Sequence, residues 1–145
     1  MAGTFPLSIV TPERTVVSET ATSVQLPAAD GSLGILAGHA PLLADIGVGE
    51  CVVKLPGGAE ETYALAGGTV EVSREQVTVL ADTAERAGDI DVSGAEASLA
   101  SARQLLAGLD ANPDAAKSAS RDDINEQIRR AQSRIRIAAG GASRS

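Results

Sequence analysis

The sequence predicts a mainly β domain over residues 1–87, followed by an antiparallel pair of helices over residues 88–145. Two observations predict this class. Apolar residues alternate with polar or small ones from Phe5 to about Arg86, which is typical of strands with one buried face. Near Asp89 the apolar spacing changes to the steps of three and four residues that a helix requires. Short strands without intervening helices favour a sandwich or a barrel over a parallel α/β sheet.

The predicted strands are short, and residues that favour turns separate them. Glycine and proline clusters, such as residues 56–58 and 67–68, mark the breaks. Because Phe5 and Tyr63 are the only aromatic residues, the core has to consist of Val, Ile, Leu and Ala. The apolar positions of the alternating pattern are Leu7, Ile9, Val24, Leu26, Cys51, Val53, Leu55, Tyr63, Leu65, Val70, Val72, Val77 and Val79.

Residues 30–47 form the most distinctive stretch, with four glycines, one proline and the only histidine. Pro41 has no N–H to give to a neighbouring strand, so it predicts an edge or a bend. We therefore expect a bent, partly buried connection in which His39 is held by hydrogen bonds. Its apolar residues are expected to be buried; they are Leu33, Ile35, Leu36, Leu42, Leu43 and Ile46.

The first helix has two candidate N-caps. Ser93 and Glu96 have the spacing of a capping box, and Asp91 is the competing cap. Gly94 weakens the first turn by roughly 1 kcal/mol relative to alanine. Residues 108–120 are predicted to connect this helix to the second, because Asn112 and Pro113 end a helix. The apolar positions of the first helix are Ala95, Leu99, Ala102, Leu105 or Leu106, and Leu109.

The second helix is predicted to begin at Ser120 or Arg121 and to end at the glycine pair at residues 140–141. Its apolar stripe is Ile124, Ile128, Ala131, Ile135 and Ala138. Burying an alanine stabilises a protein far less than burying a leucine, at about 25 cal/mol per Å² of apolar surface. Both stripes are narrow and rich in alanine, so the pair of helices is expected to be held weakly and to be able to detach from its neighbours.

Composition excludes several classes of function. The net charge is −7, which argues against nucleic-acid binding, and the shortage of aromatic residues argues against stacking on bases or sugars. Residues 1–120 carry 6 basic and 16 acidic side chains, whereas residues 121–145 carry 6 basic and 3 acidic ones. A single cysteine, Cys51, cannot form an internal disulfide and fits a reducing compartment. We expect neither a signal peptide nor a membrane-spanning segment.

No catalytic constellation is evident. His39 is the only histidine, and the sequence has no Gly-x-Ser-x-Gly elbow, phosphate-binding glycine loop or pattern of metal ligands. Glu60 and Glu61 are more plausibly an exposed strand start than an acid pair. We therefore expect a binding or regulatory module without catalytic residues, cofactor or metal.

Four arginines on the second helix leave two interpretations open. Arg129 and Arg136 share one face, and Arg130 and Arg134 share another, because these spacings correspond to one or two helical turns. The faces could simply be solvated, or they could contact an acidic segment of a partner. The basic charge of the C-terminal residues favours the second interpretation modestly.

Several motifs closely resemble the epsilon subunit of F-type ATP synthases. They are GILAGHAPLL at residues 34–43, GGTVEV at residues 67–72, VTVLADTA at residues 77–84, DID at residues 89–91 and RAQSRIRIA at residues 130–138. Together they span roughly residues 4–139 in the order of the family. The resemblance implies a ten-stranded β-sandwich followed by a helical hairpin, in a non-catalytic rotor subunit of the central stalk. This subunit would couple proton flow to ATP synthesis.

The resemblance also implies partners. The sandwich would lie beside the gamma subunit and touch the polar loops of the membrane rotor ring of c subunits, without entering the membrane itself. The loop before the Gly-His-Ala-Pro segment lies at the ring contact in this family. The corresponding residues here are Asp30, Gly31, Ser32, Leu33, Gly34 and Ile35, with His39 close by. The subunit would lie on the cytoplasmic face of a bacterial plasma membrane or an equivalent energy-transducing membrane.

The helical hairpin of this family regulates the enzyme. Folded down, it packs against the sandwich; extended, it contacts an acidic segment of beta and blocks ATP hydrolysis. The resemblance makes Arg129, Arg130, Arg134 and Arg136 the candidates for that contact. Some members also bind ATP through Ile/Leu-Asp-x-x-Arg-Ala. Here Asp91 matches this motif but Gly94 replaces its arginine, so we expect weak or no ATP binding. The alternative hypothesis is a free-standing β-sandwich that binds a ligand such as a carbohydrate.

Overall fold

The chain forms two compact units, Met1–Asp89 and Ile90–Ser145. The computed structural model describes residues 3–28, 31–111 and 118–140, with side chains from residue 121 onward in the last of these ranges. The first unit holds the strands and the second holds two helices. No helix in the described part of the chain combines the length and the apolar character needed to span a bilayer.

Eight strands make up the first unit within the described residues. They are β1 (Phe5–Val10), β2 (Thr15–Ala21), β3 (Ser23–Ala28), β4 (Gly31–Leu36), β5 (Leu42–Asp45), β6 (Val48–Lys54), β7 (Glu60–Val72) and β8 (Val77–Arg86). Their order in the sheet is β2-β1-β8-β7-β6-β3-β4, and β5 pairs with β7 beside this path. All pairs are antiparallel except the parallel pair of β1 and β8.

The sandwich class expected from the sequence is confirmed, but the structure has eight strands where the resemblance implied ten. The long strand β7 explains part of the difference. Its first half pairs with β6 from Glu60 to Ala66, and its second half pairs with β5 from Thr69 to Val72. One continuous strand therefore pairs with β6 and then with β5, and it also pairs with β8.

Gly67 and Gly68 lie inside β7, at the point where its partner changes. Both have positive φ values, 73° and 118°, which side chains rarely adopt. The Gly67 N–H donates to the Gly47 carbonyl at 3.2 Å, and the Ile46 N–H donates to the Gly68 carbonyl at 2.9 Å. The sequence marked this pair as a break between strands. The prediction was wrong because the bend continues one strand instead of ending it.

The core of the first unit contains the inward-facing residues of the alternating pattern. Tyr63 is fully buried despite its hydroxyl group, and the other large side chains at the centre are aliphatic. Period-two burial follows directly from the pleat of a strand, which sends successive side chains to opposite faces. The fully buried centre comprises Tyr63, Leu7, Ile9, Leu26, Ile35, Leu65, Val24, Val53, Val70, Val79 and Cys51.

A 3₁₀ turn at Ala87–Asp89 follows β8, and the second unit contains α1 (Val92–Ala111) and α2 (Ser118–Gly140). Asp91 is the N-cap of α1: its Oδ1 accepts from the Gly94 N–H at 3.0 Å, and its carbonyl accepts from the Ala95 N–H at 2.9 Å. The prediction of a capping box at Ser93 is therefore wrong, because Ser93 already lies inside the helix. The alternative prediction, Asp91 as the N-cap, is correct. The predicted link from 108 to 120 is shorter than expected, since α1 runs to Ala111; residues 112–117 lie outside the described part.

The helix α2 buries a wider face than predicted. Ile124 and Ala131 are buried, as the stripe required, whereas Ile128, Ile135 and Ala138 are only half-buried. Ser133 and Ile137, which the stripe did not include, are nearly inaccessible. These two residues are four apart, so they form a second row along the helix.

One ion pair joins the two helices near their connection. Arg121 Nη1 donates to Asp110 Oδ1 at 2.5 Å, and the two residues belong to the start of α2 and the end of α1. A contact between the end of one helix and the start of the next is what an antiparallel hairpin produces. The predicted hairpin is therefore present.

Candidate interface sites

The first candidate surface lies on β4, at one end of the sheet order. This strand pairs with β3 in an antiparallel register that sets Ile35 opposite Val24 and Gly31 opposite Ala28. The residues predicted as a loop before the Gly-His-Ala-Pro segment thus form an edge strand. Asp30 lies outside the described residues.

The predicted contact residues on β4 divide between its two faces. Gly31, Ser32 and Gly34 are exposed, and Leu33 is half-buried. Ile35 is only 1% exposed and belongs to the core. The side chain of Ile35 therefore anchors the strand, while its neighbours present backbone and small polar groups to solvent.

His39 lies in a tight turn directly after β4. Gly38 has a φ of 81°, and the His39 N–H donates to the Leu36 carbonyl at 3.1 Å, which closes the turn. The imidazole Nδ1 lies 2.7 Å from the Ala40 carbonyl oxygen, so an Nδ1–H tautomer would donate to it. His39 is thus held by local hydrogen bonds, as the sequence suggested, and is half-buried.

Two leucines beside this turn are exposed, although the sequence analysis expected them to be buried. Leu36 is 65% exposed at the end of β4, and Leu43 is 69% exposed on β5. The expectation was wrong because Leu36 follows the buried Ile35 directly, and successive residues of a strand face opposite ways. The same alternation, applied strictly, would have identified both leucines as candidate contact residues.

The second candidate surface lies on α2, where the structure separates the four arginines. Arg129 is exposed, and its guanidinium donates two hydrogen bonds to Glu126 Oε2, from Nη2 at 3.0 Å and from Nε at 3.3 Å. Arg136 is also exposed. Arg130 and Arg134 are half-buried, and no described group accepts a hydrogen bond from Arg130 Nε. The four side chains thus lie on two faces of different exposure.

Asp91 is engaged in the structure as the N-cap of α1. One carboxylate oxygen accepts from the Gly94 N–H, as described above. A Cβ placed on Gly94 would lie 2.5 Å from the other oxygen, Oδ2. A side chain at position 94 therefore conflicts with this orientation of the cap.

The neighbouring carboxylates Glu60 and Glu61 face different partners. Glu60 Oε2 lies 3.8 Å from Lys54 Nζ, in an exposed ion pair. Glu61 accepts hydrogen bonds from Tyr63 and Arg86. They do not act as a pair, which agrees with the expected strand start. Across the described ranges, no group of three His, Cys, Asp or Glu side chains is placed to hold a metal ion.

Comparison with known proteins adds a family. The model of the family described as ATP synthase, Delta/Epsilon chain, beta-sandwich domain matches residues 4–87. The ATP synthase epsilon chain of Solibacter usitatus is 48% identical over 99 residues, which cover 68% of this chain and 73% of the relative.

Two other relatives extend the similarity into the helical unit. The epsilon chain of Symbiobacterium thermophilum is 41% identical over 133 residues, 91% of each chain. The chloroplastic epsilon chain of Pyropia yezoensis is 36% identical over 142 residues, 97% of this chain and 99% of the relative. A chain in the structure of the Euglena gracilis mitochondrial ATP synthase has a similar fold, with a TM-score of 0.73 at 19% identity; the match covers 96% of this chain and 81% of that one.

Proposed function

Because the chain belongs to the epsilon-chain family of ATP synthases, we propose that it is a central-stalk rotor subunit whose helical hairpin restrains ATP hydrolysis. An epsilon chain is a non-catalytic subunit of the synthase. The observation that carries the proposal is the similarity to epsilon chains over nearly the whole length, strands and helices alike. Family membership also removes the alternative of a free-standing ligand-binding sandwich.

In this proposal the sandwich unit joins the gamma subunit and the ring of c subunits. The candidates for these contacts are Gly31, Ser32, Leu33, Gly34 and His39, with Asp30 beside them in sequence. The exposure of β4 on the sheet edge supports this assignment, since its outward backbone groups are accessible. The exposed Leu36 and Leu43, which flank the His39 turn in sequence, are further candidates, because apolar area is what a stable interface desolvates.

The helical unit is the proposed regulatory part, and we place its functional boundary at residues 87 and 88. Its described residues bury alanines, such as Ala95, Ala102 and Ala131, and a few isoleucines, such as Ile124 and Ile137. An element with so little buried apolar surface is held by a small free energy, so a partner can shift it between arrangements.

The proposed inhibitory contact involves the acidic segment of beta and the arginines of α2. Arg129 and Arg136 are the leading candidates because both are exposed. Arg129 already pairs with Glu126 on the surface, a pair worth at most about 1 kcal/mol, so exchanging it for a carboxylate of a partner costs little. Arg130 and Arg134 are half-buried and would take part only after the helix moves.

Nucleotide binding is not part of the proposed function. Asp91, the residue that matches the ATP-binding motif, caps α1. Gly94 occupies the position of the arginine of that motif. We expect millimolar ATP to leave the spectra of the isolated chain unchanged. We place the protein peripherally, on the cytoplasmic face of a bacterial plasma membrane or the corresponding face of an equivalent energy-transducing membrane.

The test uses the assembled synthase with the full chain or with a chain that lacks residues 88–145. Deletion should raise ATP hydrolysis severalfold while the truncated chain still co-purifies with gamma and the ring. Unchanged hydrolysis would contradict the inhibitory role. If the full chain does not co-purify with gamma and the ring, the stalk role is contradicted.

A charge variant refines this test. Arg136→Ala should raise hydrolysis in the assembled enzyme, because it removes one charge from the proposed contact. Arg103→Ala is the matched control, since Arg103 is an exposed arginine on α1. Equal effects of the two variants would contradict the assignment of the contact to α2.

A further inference from the structure

A cluster of ionisable side chains lies where the last strand leaves the sandwich, and the sequence analysis did not identify it. Arg86 is the final residue of β8 and is paired in register with Tyr63 of β7. Its guanidinium carbon lies 5.4 Å from the centre of the Tyr63 ring, over the ring face. Beyond Arg86 come the 3₁₀ turn and the helical unit. A cation over an aromatic ring is an attractive contact, so Tyr63 helps to hold the strand end.

Glu61 is supplied with donors on both oxygens. The Tyr63 hydroxyl donates to Oε1 at 2.9 Å, and Arg86 Nη1 donates to Oε2 at 3.1 Å. Two donors, one of them charged, favour the ionised carboxylate. Glu61 is therefore the natural carrier of the negative charge in this cluster.

Glu19, on β2, lies beside Glu61, but among the described residues its buried carboxyl oxygen has no hydrogen-bond donor. Its carboxyl lies within hydrogen-bonding reach of the Glu61 carboxyl. Its Oε1 is buried, and no donor in the described part of the protein reaches it. A carboxylate that has one oxygen buried without a donor, and that lies beside another carboxylate, is costly. A proton on Glu19 removes the second charge and supplies a hydrogen bond to Glu61.

We propose that Glu19 and Glu61 hold one proton between them and form a pH-sensitive contact between β2 and β7, beside Arg86, the residue from which the chain passes to its helices. While the proton is present, Glu19 donates to Glu61, and Glu61 is the only carboxylate of the pair. Once the proton is lost, the hydrogen bond between the two carboxyls breaks and the carboxylates repel each other, while Arg86 attracts both. The contact between Glu19 and Glu61 then weakens.

The pKa values follow this arrangement. Burial, and then the hydrogen bond and charge of Glu61, raise the pKa of Glu19 to about 7, while Arg86 opposes the rise. The hydrogen bond with Glu19, followed by those from Tyr63 and Arg86, lowers the pKa of Glu61. Asp89 also acts on Arg86, from the 3₁₀ turn. The adjacent strand β1 carries no titratable residue.

The direction of the pH effect follows from the raised pKa of Glu19. The folded chain keeps a proton that the unfolded chain loses near the ordinary value of 4.5. The stabilisation is complete below that value and is lost as the pH rises through about 7. The lowered pKa of Glu61 affects stability in the acid range instead, because protonation of Glu61 removes the carboxylate that accepts from Arg86.

The first experiment titrates the full-length chain, labelled with carbon-13 at the glutamate carboxyls, by nuclear magnetic resonance. The signal that disappears in Glu19→Gln belongs to Glu19, and its midpoint is expected near 7. A midpoint in the ordinary carboxylate range would overturn the shared proton. Sequential assignment of the wild-type spectrum identifies the same signal, so the result does not depend on whether Glu19→Gln folds.

The second experiment compares thermal unfolding at about pH 6 and pH 8. Wild type should lose about 5 °C of its Tm over this interval, and Glu19→Gln, which mimics the protonated acid, should lose much less. Glu13→Gln is the matched control, because Glu13 is exposed in the turn of the same hairpin, and it should behave as wild type. Equal pH dependence of wild type and Glu19→Gln would overturn the proposal.

The outcomes of these two experiments concern the isolated chain and are independent of the proposed role in the synthase.

Discussion

Gly68 shows how one residue can fix the path of the sheet. Its φ is 118°, and a Cβ there would collide with the carbonyl oxygen of Leu80 on the neighbouring strand. Neither the backbone angle nor the available space accommodates a side chain. The bend that lets β7 serve both β6 and β5 therefore depends on glycine at this position.

We expect Gly68→Ala to destabilise the sandwich by about 2 kcal/mol or more, because both backbone strain and overpacking oppose the methyl group. Urea unfolding followed by circular dichroism measures the change. Gly34→Ala is the control: a Cβ at Gly34 meets nothing within 4 Å, and the residue lies on an edge strand with an ordinary φ. A Gly68→Ala protein as stable as the Gly34→Ala protein would contradict the role of the bend.

Helix α1 illustrates how a single cap decides where an element begins. The sequence offered Ser93 with Glu96, or Asp91, and the hydrogen bond from the Gly94 N–H to Asp91 decides for the latter. Gly94 carries a conformational cost in the helix, yet its missing side chain gives the Asp91 carboxylate its space. The glycine and the cap are therefore linked.

We expect Asp91→Ala to destabilise the helical unit by about 1 kcal/mol, which is the usual loss when an N-cap oxygen is removed. Ser93→Ala should have little effect, since Ser93 lies within the first turn. Far-ultraviolet circular dichroism during thermal unfolding compares the two variants. A larger loss for Ser93→Ala would restore the capping box.

The two units of the chain differ in how much apolar surface they bury. The core of the first unit consists entirely of residues between Phe5 and Ala84 and includes many large aliphatic side chains. The second unit relies on alanines and a few isoleucines, such as Ile124 and Ile137. Because buried apolar area is the main favourable contribution to folding, the first unit is expected to be the autonomous one.

A fragment of residues 1–89 should therefore unfold cooperatively, and a fragment of residues 90–145 should be only weakly helical on its own. Cys51 provides the readout in the first fragment, because its thiol is fully buried and burial raises its pKa to about 12. The thiol should resist Ellman's reagent until urea unfolds the fragment. Rapid reaction in native buffer would show that the strands need the helices in order to fold.

Local patterns specified much of this protein: the alternating strands, the helical hairpin, the turn at His39 and the two candidate caps of α1. These features depend on contacts between residues close in sequence, so periodicity and turn chemistry suffice to predict them. The family motifs added the functional hypothesis but not the geometry of any contact.

Features that join distant parts of the chain required the tertiary structure. Only the packed sheet brings Glu19, Glu61 and Arg86 together, since each lies 25 or more residues from the others in sequence. Only the strand pairing shows that the glycines of β7 make a bend within one strand. The physical reason is that a residue's burial and charge environment depend on which strands lie against it, and local sequence does not encode that pairing.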